Sequence, residues 1–496
     1  MAEKKGMSAG GAGGAAKDGG GSLLERAVQA TERTEPETTK QLLSVVIQEA
    51  LNGVVTWDHN VTKTIETAIE KIDEAASKQL AAVMQQDKFQ KLEGSWRGLQ
   101  KLVRESDLGP GLKIKVNDFS QRELLEQFQD APAIDRSPLF NLVYQEEYGT
   151  AGGSPFGIML GDYEFTPSTD DMTLLTNMSQ VAAASHAPFF AAASPAMFDY
   201  SGFEQFNENK PVAASFDLPT YAAWNGFRQM DESRYAVLTL PRTMARLPYG
   251  ARGSYTDAFK YEELDTDKAG NPNPSDESQL VWSNAAYELA LKMTQAHTAS
   301  GWCTATRGLE NGGKVEGLPN LVCVTEDGDL KQVCPTVVNL TDEREKELSD
   351  LGFLPLVHFK DSNYAAFIGS QTCQKPKTYT EPDATSNAAI SARLSYIMAS
   401  SRIAHYLKVM GRNWLGSAYE APDITRMYTD WINTFTNSGA IGNASRAKTP
   451  LAASAVEVEA IPGRPGSYRA VAYLRPWLQL EELTTSIRMV ANIPGG

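Results

Sequence analysis

The apolar positions along the chain change period several times, and each change marks an element. Leu42, Leu43, Val46, Ile47 and Ala50 fall on one side of a 3.6-residue repeat, predicting a helix over Thr38–Ala50 that Asn52-Gly53 ends. Ile65, Ala68, Ile69, Ile72, Ala76, Leu80 and Val83 carry the same period through a longer helix. A third pattern, Leu92–Val103, sets Trp96, Leu99 and Val103 on one side. At Leu112 the period drops to two, and Leu-Lys-Ile-Lys-Val through Val116 predicts a half-buried strand. Helices are then expected at Gln121–Phe128, Pro138–Tyr148, Met172–Ser185 and Ser283–Ala299, with strands at Phe156–Leu160 and Tyr235–Leu240. Such alternation predicts an α/β, mixed α+β, layered core.

The outer parts differ in texture. Residues 1–22 are Gly/Ala-rich, with too little apolar surface to offset ordering, and read as a disordered tail. Residues 23–60 read as an arm or linker, 61–380 as the main body and 381–496 as a C-terminal domain, with the polar, Pro-containing Lys375–Ser386 between the last two. In that domain Ala388–Val409 is predicted as a helix burying Ile390, Leu394, Ile397, Ala404 and Leu407, and Ile424–Phe435 as another. Arg469–Leu478 and Leu483–Ala491 are rich in strand-forming residues and suit a terminal hairpin. Glu262–Ser278, rich in Asp, Asn, Pro and Gly, is expected to be a surface loop.

Composition narrows the function. A formal net charge of -15 argues against a nucleic-acid backbone or an anionic membrane as main partner, since both attract basic faces. No stretch approaches the roughly 20 apolar residues needed to span a bilayer. The most apolar, Ala187–Tyr200, is interrupted by Pro188 and Pro195, and the first residues lack the apolar core of a secretory signal, so a cytoplasmic protein is expected. The 4 cysteines form no C-x-x-C pair and read as buried thiols. Gly308–Lys314 fits part of a phosphate-binding loop, but Val315 replaces the required hydroxyl and Gly317 and Pro319 oppose a following helix, so a Gly-rich turn is the reading. Gly152-Gly153-Ser154 fails as a nucleophile elbow because Phe156 stands where the last Gly belongs. None of the 5 histidines lies at metal-ligand spacing. No catalytic, cofactor or metal site is predicted, hence no enzyme. Arg228, Arg234, Arg242 and Arg246, interleaved with Trp224, Phe227 and Tyr235, suit either a protein interface or a solvated face over core aromatics.

Four stretches in order carry a family resemblance. They are Trp96-Arg97-Gly98-Leu99; Phe140–Gly149 followed by Pro155–Tyr163; Ser400–Lys408; and Leu474-Arg475-Pro476-Trp477 through Leu483. Together they resemble the large sheath subunits of type VI secretion, the TssC or VipB family. The resemblance implies a multi-domain protomer of a helical sheath, built with copies of itself and a small sheath subunit (TssB/VipA-like) around an inner tube (Hcp-like) on a baseplate. It also implies a contraction that drives the tube outward and an AAA+ ATPase (ClpV-like) that recycles the spent sheath, gripping mainly the small subunit. Neighbouring subunits of this kind exchange strands. Candidate pairing residues are then Val54, Val55 and Thr56 in the arm, and Val471, Tyr473, Leu474, Ile487 and Met489 at the end. Trp96, Arg402, His405 and Trp477 are candidate interface residues. Pairing of both termini within their own subunit stays open, as does the sheath of a related phage-tail-like injection particle.

Overall fold

The computed structural model describes residue 44 and residues 61–479, apart from residues 209, 251–252, 258, 265–276, 325–328, 465 and 478. Of the first predicted helix only Ser44 is described, and it is helical; Val54, Val55, Thr56, Ile487 and Met489 lie outside the described residues. The chain divides into two compact units, Met1–Ala82 with Tyr249–Ala251 and Tyr255–Glu263, and Val83–Pro248 with Arg252–Ser254 and Leu264–Gly496.

The first unit holds most of helix α1 (Val61–Met84). Its small buried residues, Ala68 and Ser77, mark the packed side, while Ile69, Ile72 and Leu80 of the apolar stripe are exposed. The Ser77 hydroxyl donates to the Lys260 carbonyl at 3.3 Å and accepts from the Glu262 N–H at 3.4 Å. The Tyr249 N–H donates to a Glu263 carboxylate oxygen at 2.8 Å within the same unit.

The second unit is built on a six-stranded sheet. Strands β1 (Met159–Phe165), β2 (Phe189–Ala193), β3 (Ala236–Leu240) and β5 (Leu354–His358) run parallel, and β6 (Ala365–Phe367) and β4 (Lys314–Val315) continue antiparallel, in the order β1-β2-β3-β5-β6-β4. Every residue of β2, β3 and β5 is buried. Parallel strands covered on both faces lose the in-out alternation, which is why the Pro-flanked run Ala187–Tyr200 conceals β2. On one face, helices α3 (Gln121–Asp130) and α4 (Thr169–Ser185) contribute to an aromatic core in which Trp224 stacks on Phe353 with centroids 4.9 Å apart. Helices α5 (Ala285–Ser300) and, further on, α8 (Leu394–Asn413) contribute Leu289, Met293, Leu394 and Met398 to the core on the other. Gly308–Lys314 is a turn, with Gly308 and Gly312 at φ 70° and 86°, feeding strand β4 rather than opening a helix.

Several expectations are corrected. Leu112–Val116 forms no strand; Leu112 and Ile114 are half-buried, and its one ladder contact is a bridge from Leu112 to Gly109. The strand expected at Phe156–Leu160 begins at Met159. Pro138–Tyr148 becomes one α-turn and then a π-helix over Asn141–Tyr148. The helix expected over Ala388–Val409 breaks into α7 (Pro382–Ser391) and α8. The buried members of the Arg cluster serve the fold itself. Arg228 donates to the carbonyls of Cys373 and Asp350 at 3.2 and 2.8 Å, and Arg246 grips both Glu93 oxygens at 2.5 and 2.9 Å. Trp224 and Phe227 are buried beneath. All four thiols are free; Cys323 and Cys373 are buried as expected, whereas Cys303 and Cys334 are half-buried, and loss of solvent around the sulfur pushes Cys373 up to about 12 and Cys303 to about 11.

Helix α2 (Asp87–Glu105) packs through a face that its apolar pattern does not mark. The face pressed inward carries Gly94, Gly98 and Leu102, and Trp96 is 63% exposed. A Cβ at Gly94 would sit 2.1 Å from the Trp282 carbonyl oxygen, and one at Gly98 2.4 Å from the Tyr287 ring and the Ser283 hydroxyl. Absent side chains thus decide which face packs. Alanine ordinarily improves a helix by about 1 kcal/mol over glycine. Here Gly94→Ala and Gly98→Ala are each expected to cost about 1–3 kcal/mol by overpacking, read from the denaturation midpoint. Gly109→Ala, where nothing lies within 4 Å of the new Cβ, is expected to leave it nearly unchanged.

Candidate inter-subunit strand-pairing site

Past α8 and helix α9 (Ala421–Asn433), strands β7 (Leu451–Ala460) and β8 (Tyr468–Pro476) form a hairpin. Among the described residues the partner of the predicted Arg469–Leu478 strand is the preceding β7; Leu483–Ala491 lies outside the described residues. The missed strand, Leu-Ala-Ala-Ser-Ala-Val-Glu-Val-Glu-Ala, is Ala- and Glu-rich, a composition that strand propensity counts against. Its alternation, with Val456 and Val458 against Glu457 and Glu459, was the available signal.

The register runs from Ala453↔Arg475 to Ala460↔Tyr468, with a shift between Leu451 and Ala453. At the tip, Gly463 and Gly466 both adopt φ 78°, and the Ile461 N–H donates to the Ser467 carbonyl at 2.8 Å. One face is anchored: Leu451 and Val456 are buried with Tyr428 and Ile432 of α9 and with Trp302, and Val458, Ala472 and Leu474 pack against them. The other face carries Ala453, Ala455, Glu457 and Glu459 opposite Arg469, Val471, Tyr473 and Arg475. Tyr473 is 55% exposed, and its hydroxyl donates to a Glu457 oxygen at 3.3 Å. This is a two-stranded sheet, so apart from a parallel bridge between Leu451 and Thr436 the outer edge of each strand has no ladder partner among the described residues. Long open edges are templates for added strands, and isolated two-stranded sheets are marginally stable in water.

Of the sequence candidates, Val471 and Tyr473 thus lie on the open face and Leu474 on the anchored one. Trp477 is half-buried at the hairpin's foot. Its indole N–H donates to the Thr449 carbonyl at 3.0 Å, and the Arg446 guanidinium lies 4.6 Å from its ring. Arg402, on α8, is half-buried and stacks over Tyr406 at 4.7 Å. Trp96 stands apart on α2.

His405 turns inward rather than toward a surface and is 2% exposed. Its Nε2 meets the Ser185 carbonyl at 2.8 Å, so that nitrogen carries the proton and donates. Around it pack His186, whose Nδ1 is 3.2 Å from the Tyr235 hydroxyl, and Tyr148, with the Lys408 ammonium 3.4 Å from the Tyr148 centroid. Burial pushes His405 down to about 4, with Arg402, His186 and Lys408 adding to the fall against the Ser185 hydrogen bond. Burial and Lys408 lower His186 as well.

Among the described residues there is no group of three or more His, Cys, Asp or Glu placed to hold a metal ion, and no helix long and apolar enough to cross a membrane.

Two family models cover most of the chain. The VipB model, described as the EvpB tail sheath N-terminal domain, matches residues 66–374, and a second, the tail sheath gpW/gp25-like domain, matches 383–493. A Pseudomonas aeruginosa protein, the type VI secretion system sheath protein TssC1, is 39% identical over 477 residues, covering 95% of this chain and 94% of the relative. Weaker likenesses join the chain to solved structures of the anti-feeding prophage. One is to its baseplate (12% identity, TM-score 0.31) and one to its contracted helical sheath (12%, TM-score 0.28), each covering 77% of this chain and 99% of the other. At those scores the two do not establish a shared overall fold.

The histidine pair sets a pH dependence. Folding holds both imidazoles below the ordinary value near 6.5, which they regain on unfolding, so the unfolded chain binds more protons below that pH. Stability is full above about pH 6.5 and falls as the pH drops toward about 4, by about 3 kcal/mol for His405 alone. Thermal melts across that window should show the fall, and His405→Gln, which keeps a donor for Ser185, should flatten it. An unchanged slope in the variant would assign the titration elsewhere.

Proposed function

Because the chain belongs to the VipB/EvpB family of tail sheath proteins, we propose that it works as the large structural subunit of a type VI secretion sheath, assembling with a small sheath partner around an inner tube and contracting to propel it. The observation that carries the assembly mode is the β7–β8 hairpin, anchored on one face and, beyond the Leu451–Thr436 bridge, without further ladder partners among the described residues. A lattice that reorients without its subunits parting needs directional links, and backbone ladders between chains supply them.

In this reading the protein is a mechanical part without a catalytic role and acts in the cytoplasm. The inner tube, the baseplate and a recycling ATPase are its further partners. The hairpin receives strands from neighbouring subunits. Val471 and Tyr473, with Ile487 and Met489, are the candidate receiving positions, and Val54–Thr56 is the candidate donated strand. The division at residues 380 and 381 is supported by the gap between the two matched models, 66–374 and 383–493.

Co-expression with the small sheath gene, followed by negative-stain microscopy, is the direct test. Hollow tubes that require both chains are expected, and monodisperse particles under the same conditions would remove the sheath reading. The strand assignment is tested separately. Alternate N–H groups of β8 point to β7 and to the open edge, so Val471→Pro and Ala472→Pro each remove one kind. The substitution on the outward N–H should leave the melting temperature within a few degrees yet abolish tubes, while the other should lower it. Full-length tubes from both variants would show that these edges carry no neighbour's strand.

A further inference from the structure

At the carboxyl end of the parallel strands a thiol meets an imidazole. Strands β3 and β5 are neighbours there, paired Thr239↔Leu354 and Leu240↔Pro355. The stretch Cys334–Val337 crosses just beyond β3. The Met244 N–H donates to the Pro335 carbonyl at 2.8 Å, the Val337 N–H donates to the Arg242 carbonyl at 3.0 Å, and Thr336 forms a bridge with Thr243. His358, the last residue of β5, is buried, while Cys334 is half-buried. Open α/β sheets hold their ligand sites beyond the carboxyl ends of the strands. In this sheet that position carries Cys334 and His358 in hydrogen-bond contact.

The pair is held from both ends. The Ser362 carbonyl accepts from His358 Nε2 at 2.9 Å and from the Gln332 side-chain amide at 2.7 Å, so Nε2 carries a proton and the ring is fixed. The Cys334 proton can then pass only to Nδ1. A nucleophilic thiol needs a base within hydrogen-bond reach and a third group that orients the base; Cys334, His358 and Ser362 supply that order. Donors also converge on the sulfur. The Thr336 N–H donates to it, and the Thr336 hydroxyl lies 3.1 Å from it and 2.9 Å from the Val338 carbonyl, so its hydrogen can serve either acceptor. Burial opposes ionisation of Cys334, but the hydrogen bonds with His358 and Thr336 outweigh it and hold the thiol below its ordinary value. Burial likewise opposes a charge on His358, against which Cys334, the Ser362 carbonyl and Asp361 together raise it. At Cys303, Cys323 and Cys373 burial prevails, and each thiol is raised.

We propose that Cys334, activated by His358, is a reactive thiol and modification site of this protein, and that low-molecular-weight disulfides are its reagents. The Cys334 proton moves to His358 Nδ1, and the thiolate attacks one sulfur of the disulfide. A new S–S bond forms to Cys334 as the old one breaks. The second sulfur departs as a thiolate and takes up the proton from His358. Cys334 is oxidised and the departing half is reduced, so no other oxidant is needed, and an excess of free thiol reverses the step. Partial exposure beside a protonated imidazole is the setting in which cysteines react, whereas fully buried thiols are inert. The step needs only this chain and is independent of the sheath reading above.

The test treats the folded full chain with the aromatic disulfide dithiobis(nitrobenzoate), follows the released thiolate by absorbance and locates the adduct by peptide mass spectrometry. Cys334 is expected to react before the other cysteines, with a rate whose pH midpoint lies below that of the thiols in the urea-unfolded chain. His358→Gln, whose amide can still donate to Ser362, should slow the reaction at about pH 6.5 by about tenfold and move the midpoint up. Thr336→Val should do so by less. Earlier modification of another cysteine, a midpoint at or above the unfolded one, a disulfide between two cysteines in place of the adduct, or an unchanged rate in His358→Gln would each overturn the assignment. The unsubstituted chain's profile decides the matter even if a substitution unfolds the protein.

Discussion

A backbone amide withdrawn from water must find a partner, and the arrangement of this chain follows from where its strand edges find theirs. In the centre the need is met internally: β2, β3 and β5 are ladder-paired on both sides and covered on both faces. At the periphery it is met only in part. Among the described residues strand β1 is paired on one side only, and β7 and β8 pair with each other apart from the Leu451–Thr436 bridge. The core is thus complete as a folding unit, while these edges keep backbone groups without a ladder partner among the described residues. That division fits a protein whose purpose lies in assembly.

The parts of this plan that were legible in the sequence are those set by local rules. Helices with strong 3.6-residue periodicity or good caps fell where expected; α3, for instance, is closed by a reciprocal Ser120/Glu123 capping box. The family resemblance over four ordered stretches agreed with the matched sheath models. Illegible were features set by the environment of the whole fold. A central parallel strand such as β2 is apolar at every position and has no period to read. Leu112–Val116 has the period but, among the described residues, no neighbouring strand to pair with, because alternation reports burial on one side and not a ladder.

The candidate site was half visible for the same reason. Val471, Tyr473 and Leu474 stand in a strand as their side chains suggest, but the identity of the paired strand depends on β7, whose small and acidic residues conceal it. The side that His405 faces was not legible, because a helix shows its period but not its azimuth, and only its packing against Ser185 and Tyr148 reveals that it faces inward. On α2 the glycines, not the tryptophan, determine which side is pressed inward, and a hydrophobicity pattern has no symbol for an advantageous absence of atoms.

The hairpin also has a mechanical meaning. The paired residues of β7 and β8 lie side by side over most of both strands. A load applied along the strand axis would therefore be shared by the whole ladder at once, whereas a load across it would open one pair after another from the tip. The Gly463 and Gly466 turn is the weak end for peeling, and the apolar contacts of Leu451 and Val456 with α9 hold the strong end. A link of this kind is stiff in shear and yielding in peel, so the direction of pull, more than the number of contacts, sets the force it withstands.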